Sequence, residues 1–350
     1  MQKFIVSRDD SVYEAWPDVE LCDSGRMVCV FTECTHHTDR NGSRLAIVTS
    51  DNRGRTWSTK RYLTEKGTEN GYFNNVRIIK HSDGRLVIVC DFLNGRGETP
   101  ELLVNAHNYI WFSSDEGETW SEPMDTPVRG ICPTAVLELQ SGRWLLAAQQ
   151  KDFDHGKLYE NIWYSDDKGK TWSEKITMAN DSRYNLCEAY LCEVEPNVIV
   201  SFMRENSAMG WDCMKSISKD GGETWEGVYN VPLPGCHRPT AKFMADGNLL
   251  LTYRYRPGGK GWVGYWTQNT FGAILYRDGL LSTERKDQAT RNFPIDYDRS
   301  SVSDCGYTGW VQYPDGEIYI VNYLVDDAPK AHIRGYSLRP DELFIETPRS

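Results

Sequence analysis

Apolar residues along this chain come in short runs of strand length, each closed by tight-turn residues. One order of runs recurs six times: an apolar strand, a hairpin turn, a second apolar strand, and a third that follows it. The first strands read WPDVEL (16–21), NVRIIK (75–80), PTAVLEL (133–139), EAYLCEV (188–194), PTAKFM (239–244) and TGWVQY (308–313). Their turns are DSG, SDG, QSG, EPN, ADG and PDG, and the second strands are MVCVFTE, RLVIVCDF, RWLLAAQ, VIVSFMR, LLLTYRY and EIYIVNY. No stretch carries apolar positions at the helical period. Six such units predict an all-β chain, a six-bladed β-propeller forming one domain over 1–350. An open ring would leave two bare sheet edges, so KFIVS (3–7) is expected to add an outer strand beside HIRGYSL (332–338).

A second repeat sits after the third strand of four units. It reads SDNRGRTW (50–57), SSDEGETW (113–120), SDDKGKTW (165–172) and SKDGGETW (218–225), or S-x-[D/N]-x-G-x-T-W. The Asp or Asn caps backbone amides, Gly supplies a left-handed dihedral, and Trp is expected to insert between neighbouring sheets. These turns belong on the rim and carry no chemistry.

In an up-and-down blade the start of the first strand and the end of the second share one face. Six such pairs point to one central pocket. From the first strands it should be lined by Glu14, Trp16, Asn74, Asn75, Arg77, Cys132, Glu188, His237, Arg238 and Tyr307. The second strands should add Glu33, His36, His37, Asp39, Asp91, Gln149, Arg204, Arg254 and Arg256.

The charge balance, 39 basic against 50 acidic residues and a net charge of −11, argues against nucleic acid or an anionic membrane as partner. A small-molecule or oligosaccharide substrate is compatible with that balance. The ten cysteines lack paired metal-ligand spacing, and several lie in apolar runs, so buried reduced thiols are expected. With no signal-like apolar run at the start, this favours the cytoplasm, or a secreted or periplasmic location where a leader has been trimmed. No cofactor or metal is called for: a metal site would need His237, Glu33 and Asp91 to converge, and no spacing demands it.

The S-x-D-x-G-x-T-W turns resemble the Asp boxes of sialidases, and the likeness runs from the first strand to TGWVQY. NLCEAYLCEVEPNVIVSFMREN is similar to the sialidase stretch in which a Glu opens one inner strand and an Arg closes the next; that implies Glu188 and Arg204. CGYTGWVQYPDGEIYIVNY resembles the last blade, whose inner strand opens with the nucleophilic tyrosine, implying Tyr307. THHTDRNGSRLAIVTSD stands where sialidases carry an acid/base aspartate, implying Asp39, with His36 and His37 alongside. The resemblance implies a retaining exo-glycoside hydrolase acting on a terminal, acidic sugar. Such a substrate repels an anionic nucleophile, whereas a neutral phenol avoids the repulsion if a carboxylate draws off its proton. An unperturbed tyrosine titrates near pH ~10, so Glu188 must assist.

Arginines that would hold the substrate carboxylate are Arg204, Arg238, Arg254, Arg256 and Arg77. The chain departs from the family at the first blade: Ala15, in Glu14-Ala15-Trp16-Pro17, stands where sialidases carry an arginine. His37, His237 and Trp16 are further substrate contacts, and Trp16, Trp211, Trp262 and Trp266 are candidates for stacking on sugar faces. Plainer roles stay open: an ion pair for Glu188 and Arg204, a packed channel residue for Tyr307, a turn residue for Asp39. Other classes also stay open, namely a lyase or uronate-linked sugar hydrolase using the histidines, with a His in place of Asp39, or a carbohydrate-binding propeller without catalysis.

Overall fold

The computed structural model describes residues 1–40, 42–67, 71–95, 99–258 and 267–343. Among these, the strands form six four-stranded antiparallel sheets. Five run from an inner strand at the hub outward in chain order, and the sixth ends outermost on the first strand of the chain. The first blade is Tyr13–Leu21, Met27–Cys34, Arg44–Ser50 and Arg61–Tyr62. The inner strands of the others are Tyr72–Lys80, Leu137–Glu138, Leu186–Glu195, Cys236–Phe243 and Cys305–Gln312. The last sheet closes as expected: Gln2–Ser7 pairs antiparallel with His332–Leu338, Gln2 opposite Ser337 and Ile5 opposite Arg334. One chain end thereby covers the edge that the other leaves bare.

Buried apolar side chains gather in a ring of six clusters, one between each pair of neighbouring sheets. Both faces of every sheet are therefore covered, which is why second strands such as MVCVF and LVIVC are apolar without alternation. Each fully buried Val, Leu, Ile or Phe contributes about 1.5–3 kcal/mol, spread around the ring rather than concentrated at one centre. Trp57, Trp120, Trp172 and Trp225 each pack against the cluster shared with the preceding blade. In each repeated turn the Ser hydroxyl accepts the Gly amide, as Ser50 does from Gly54 at 2.9 Å. The Asn or Asp accepts the Thr amide, as Asn52 does from Thr56 at 2.9 Å. These turns join third to fourth strands, on the face opposite the start of the inner strands.

Two details differ from the sequence reading. The third inner strand is ladder-paired only over Leu137–Glu138; ahead of it the chain meets its neighbour through a single bridge, Ile131 with Gln149, and the Thr134 amide on the Ala147 carbonyl at 3.0 Å. A short helix, Pro100–Asn105, interrupts the second blade; six residues are too few to display a period. No helix among the described residues is long and apolar enough to cross a membrane. All ten cysteines are free and buried.

Candidate active site

At the hub end the inner strands lose register with their partners. The ladder skips between Ala15 and Asp18, Phe73 and Val76, Cys187 and Tyr190, His237 and Thr240, and Cys305 and Thr308. Each skip inserts one extra residue, a bulge that turns a side chain toward the axis. Trp16, Glu188 and Arg238 sit there at φ 55°, 54° and 50°, and Cys132, next to the Ile131–Gln149 bridge of the third blade, at 54°. A non-glycine residue so placed costs on the order of 1–3 kcal/mol and persists only where its surroundings hold it. The surroundings are visible. Bulge amides released from the ladder find side-chain acceptors: Glu188 N–H on Gln149 at 2.7 Å, Ala189 N–H on Glu160 at 3.0 Å, and Gly306 N–H on Asn322 at 2.8 Å. Asp91 takes two, from Asn75 at 2.7 Å and Cys132 at 3.0 Å.

The bulges of the fourth and sixth blades bring Glu188 and Tyr307 together. The Tyr307 hydroxyl donates to Glu188 Oε1. Arg204 Nη1 donates to the same oxygen at 2.9 Å and lies 3.5 Å from the phenol oxygen. Arg204 is held from behind by Asn206. Arg254 lies 4.7 Å and Arg238 5.5 Å from the centre of the Tyr307 ring.

Two cavities meet at this cluster. One, of about 570 Å³, is lined by Tyr307, Glu188, Gln149, Asn75, Trp16 and Arg40 among others. The second, of about 580 Å³, has Arg204, Arg254, Arg256, Asp304 and Lys330 in its wall. His37 and Thr38 line both and stand at the divide. A sugar ring fits either volume, with the phenol and carboxylate reached from the first.

Residues 72–320 match the BNR repeat-like domain family. The chain belongs to it. This places the protein in the sialidase-like superfamily, in agreement with the Asp boxes and the six-bladed ring. A sialidase of Bacteroides fragilis (strain YCH46) is 28% identical over 248 residues, covering 62% of this chain. The chain spans only 44% of that relative's length. Among solved structures, a Dyadobacter fermentans protein of unknown function superposes with a TM-score of 0.77 at 21% identity, over 97% of this chain and 98% of that one. The K499G mutant of NanB sialidase from Streptococcus pneumoniae gives 0.71 at 14% identity, over 98% and 71%. At these identities the structures speak for the fold.

The remaining candidates of this BNR repeat-like chain fall into distinct places. Arg238 and Arg77 are fully buried in the channel wall and line neither cavity. Arg238 donates to the carbonyls of Cys132 and Pro133 at 3.2 and 3.3 Å, and Arg77 to that of Thr308 at 3.1 Å, with Asp18 3.6 Å away. Their charge reaches the site; their donors do not. His237 is buried opposite Arg254 in the ladder, and burial with Arg204, Arg254 and Arg256 nearby pushes it well below its ordinary range, so it stays neutral. Asp39 pairs backbone to backbone with His36 and is absent from both cavity walls. Glu14 and Glu33 turn into the first blade, where Lys60 bridges them at 2.7 Å each, and neither lines a cavity. Side chains alternate across a strand, so these two glutamates face away from the hub. With Asp91 spent on bulge amides, His237, Glu33 and Asp91 form no metal cluster among the described residues. Trp211 is exposed, whereas Trp262 and Trp266 lie outside the described residues.

Three participants were not singled out from the sequence. Asp304 accepts from Tyr13 and, at 2.8 Å, from Tyr323, and sits 2.5 Å from His37 Nδ1. Arg40 lies 4.4 Å over the Trp16 ring, donates to Asn74, and lines the first cavity. Glu160 supports the Glu188 bulge. The available signals were an aspartate just ahead of CGY and an arginine next to Asp39. Neither carries a direction without the fold.

Electrostatics sets the resting protonation. Burial alone would raise Glu188, yet Arg204, then Arg238 and Arg254, hold it down to about 2. Burial and the Glu188 charge push Tyr307 above its ordinary range. The pair rests as phenol and carboxylate. Glu160 is the opposite case: burial raises it to about 8 against the Ala189 amide and Arg238. Its contribution to stability is complete below its ordinary value of 4.5 and is lost as pH rises through 8. The Glu188 contribution is lost instead as pH falls from 4.5 toward 2. Glu160→Gln keeps the acceptor for Ala189 and removes the titration. Melting temperatures from pH 5 to about 9 should fall more steeply for the parent than for Glu160→Gln; parallel curves would rule this out.

Proposed function

We propose that this chain is a retaining exo-glycoside hydrolase of the sialidase type, removing a terminal acidic sugar through a tyrosyl intermediate. The observation that carries the reading is the Tyr307–Glu188–Arg204 contact in the wall of an open cavity. Glu188 takes the phenolic proton as the Tyr307 oxygen bonds to the anomeric carbon. Arg204 and Arg254 stabilise the charge that develops on that oxygen, from positions held before substrate arrives. The three cations in the wall of the second cavity, Arg204, Arg254 and Arg256, with Arg40 across the divide, favour a substrate bearing a carboxylate. Ala15 supplies no guanidinium at the first blade, and the buried Trp16 with Arg40 stacked over it fills that corner instead.

The test is a panel of aryl glycosides of sialic acid, related ulosonic acids, uronic acids and neutral sugars, followed by trapping with a fluorinated analogue of the sugar turned over. The expected result is product of retained configuration and a mass increment on the peptide containing Tyr307. Inverted product, or an increment on another residue, would sink the reading.

A further inference from the structure

We infer that His37, held by Asp304, is the proton-transfer group of this site, and that Asp39 is not. The inference rests on the tyrosyl mechanism above and adds the partner that the leaving group requires. His37 is the ionisable side chain at the divide: it lines both cavities, and its side chain is one-third exposed (33%) while that of Asp304 is 17% exposed. The geometry around it is that of an oriented imidazole. Nδ1 meets Asp304 Oδ2 at 2.5 Å, which leaves Nε2 for exchange with a substrate oxygen. Asp304 is itself fixed by the Tyr13 and Tyr323 hydroxyls, and Arg254 lies 3.8 Å from it. These partners keep it ionised: against burial, His37 and then Arg254 and Tyr13 bring it down to about 2. The ring is packed edge-on against Trp16 at 5.4 Å and Tyr13 at 6.3 Å, and Arg40 donates to the His37 carbonyl at 3.0 Å. A ring seated by two aromatics, a carboxylate and a backbone anchor has little freedom to turn. Asp39 has its backbone spent on His36 and borders neither cavity.

The step balances as follows. In the first half, the Tyr307 oxygen bonds to the anomeric carbon and its proton passes to Glu188. The bond to the leaving oxygen breaks, and that oxygen takes the proton from Nε2 of the His37 imidazolium. In the second half, neutral His37 removes a proton from water as the water oxygen bonds to the anomeric carbon. The bond to Tyr307 breaks and Glu188 returns the phenolic proton. The sum is hydrolysis, with water as the co-reactant. Asp304 touches no reacting atom and acts as a positioning residue.

The experiment compares leaving groups on the sugar that the panel selects. With His37→Gln, a glycoside carrying an acidic phenol, pKa about 7, should be cleaved within about tenfold of the parent rate for sugar–enzyme bond formation. One carrying an alkyl or sugar aglycone should lose about 10²–10⁴-fold. Asp304→Asn, which keeps the volume but weakens the hold on Nδ1, should show the same split between the two leaving-group classes, with a smaller loss on the alkyl or sugar aglycone. Added imidazole should restore turnover to His37→Ala, a readout that a packing role would not move. Equal loss on both classes of leaving group by His37→Gln would overturn the assignment, as would the same leaving-group signature in Asp39→Asn. Trapping on Tyr307 is read separately: if it persists in His37→Gln with the acidic phenol, the nucleophile stands whatever becomes of His37.

Discussion

Tyr307→Phe is expected to lower kcat by about 10³-fold or more while the fold and the cavity shape hold. The substitution removes one atom, the oxygen that would bond to the sugar, and leaves a ring of the same size against Tyr323, whose centre lies 6.1 Å away. Glu188 keeps its Arg204 partner at 2.9 Å, so no buried charge is stranded. Glu188→Gln tests the same pair from the other side. It preserves the volume but removes the base, and about 10²–10⁴-fold should be lost, with the resting phenol no longer able to surrender its proton. Single-turnover rates on the best aryl glycoside check both. Near-parental turnover in either variant would dismiss the tyrosine mechanism.

Arg204→Ala is expected to be the most destabilising change at the site, by about 3–5 kcal/mol. Glu188 is almost wholly enclosed, and Arg204 is the foremost of the charges that hold its pKa down against burial. Without the guanidinium the carboxylate is either desolvated and unpaired or forced to take up a proton. For a domain of this size the melting temperature should fall by about 5 °C. The double variant Arg204→Ala with Glu188→Gln should recover part of that loss, because no charge then lacks a partner. Additive losses would mean that Arg204 stabilises through packing alone.

The Asp-box turns were legible because their physics is local. Ser50, Asn52, Gly54 and Thr56 bond to one another within a single turn, and three further copies repeat the bonds. Glu188 and Tyr307 were legible through resemblance, as residues opening inner strands. Arg77, Arg238 and Glu14 show where strand position falls short. All three occupy hub-end strands, yet a bulge decides which side chains swing toward the axis, and a backbone carbonyl or a lysine claims the others. Asp304 and Arg40 lie in loops whose sequences carry no period. Their roles arise from partners far along the chain, Tyr13 and His37 for one and Trp16 and Asn74 for the other.

What the sequence by itself determined is the ring: six repeats of apolar runs and turns, each with two faces to bury, leave closure as the arrangement without bare edges. What only the tertiary structure decided is the arrangement of side chains at its centre. Bulges set at left-handed dihedrals, and the side chains that cap their freed amides, bring a phenol, a carboxylate and a guanidinium from the fourth and sixth blades into contact. The reason is one of range. Burial and turn geometry act between neighbours in the chain, whereas proton affinity at the hub depends on charges that only the closed ring brings within a few ångströms.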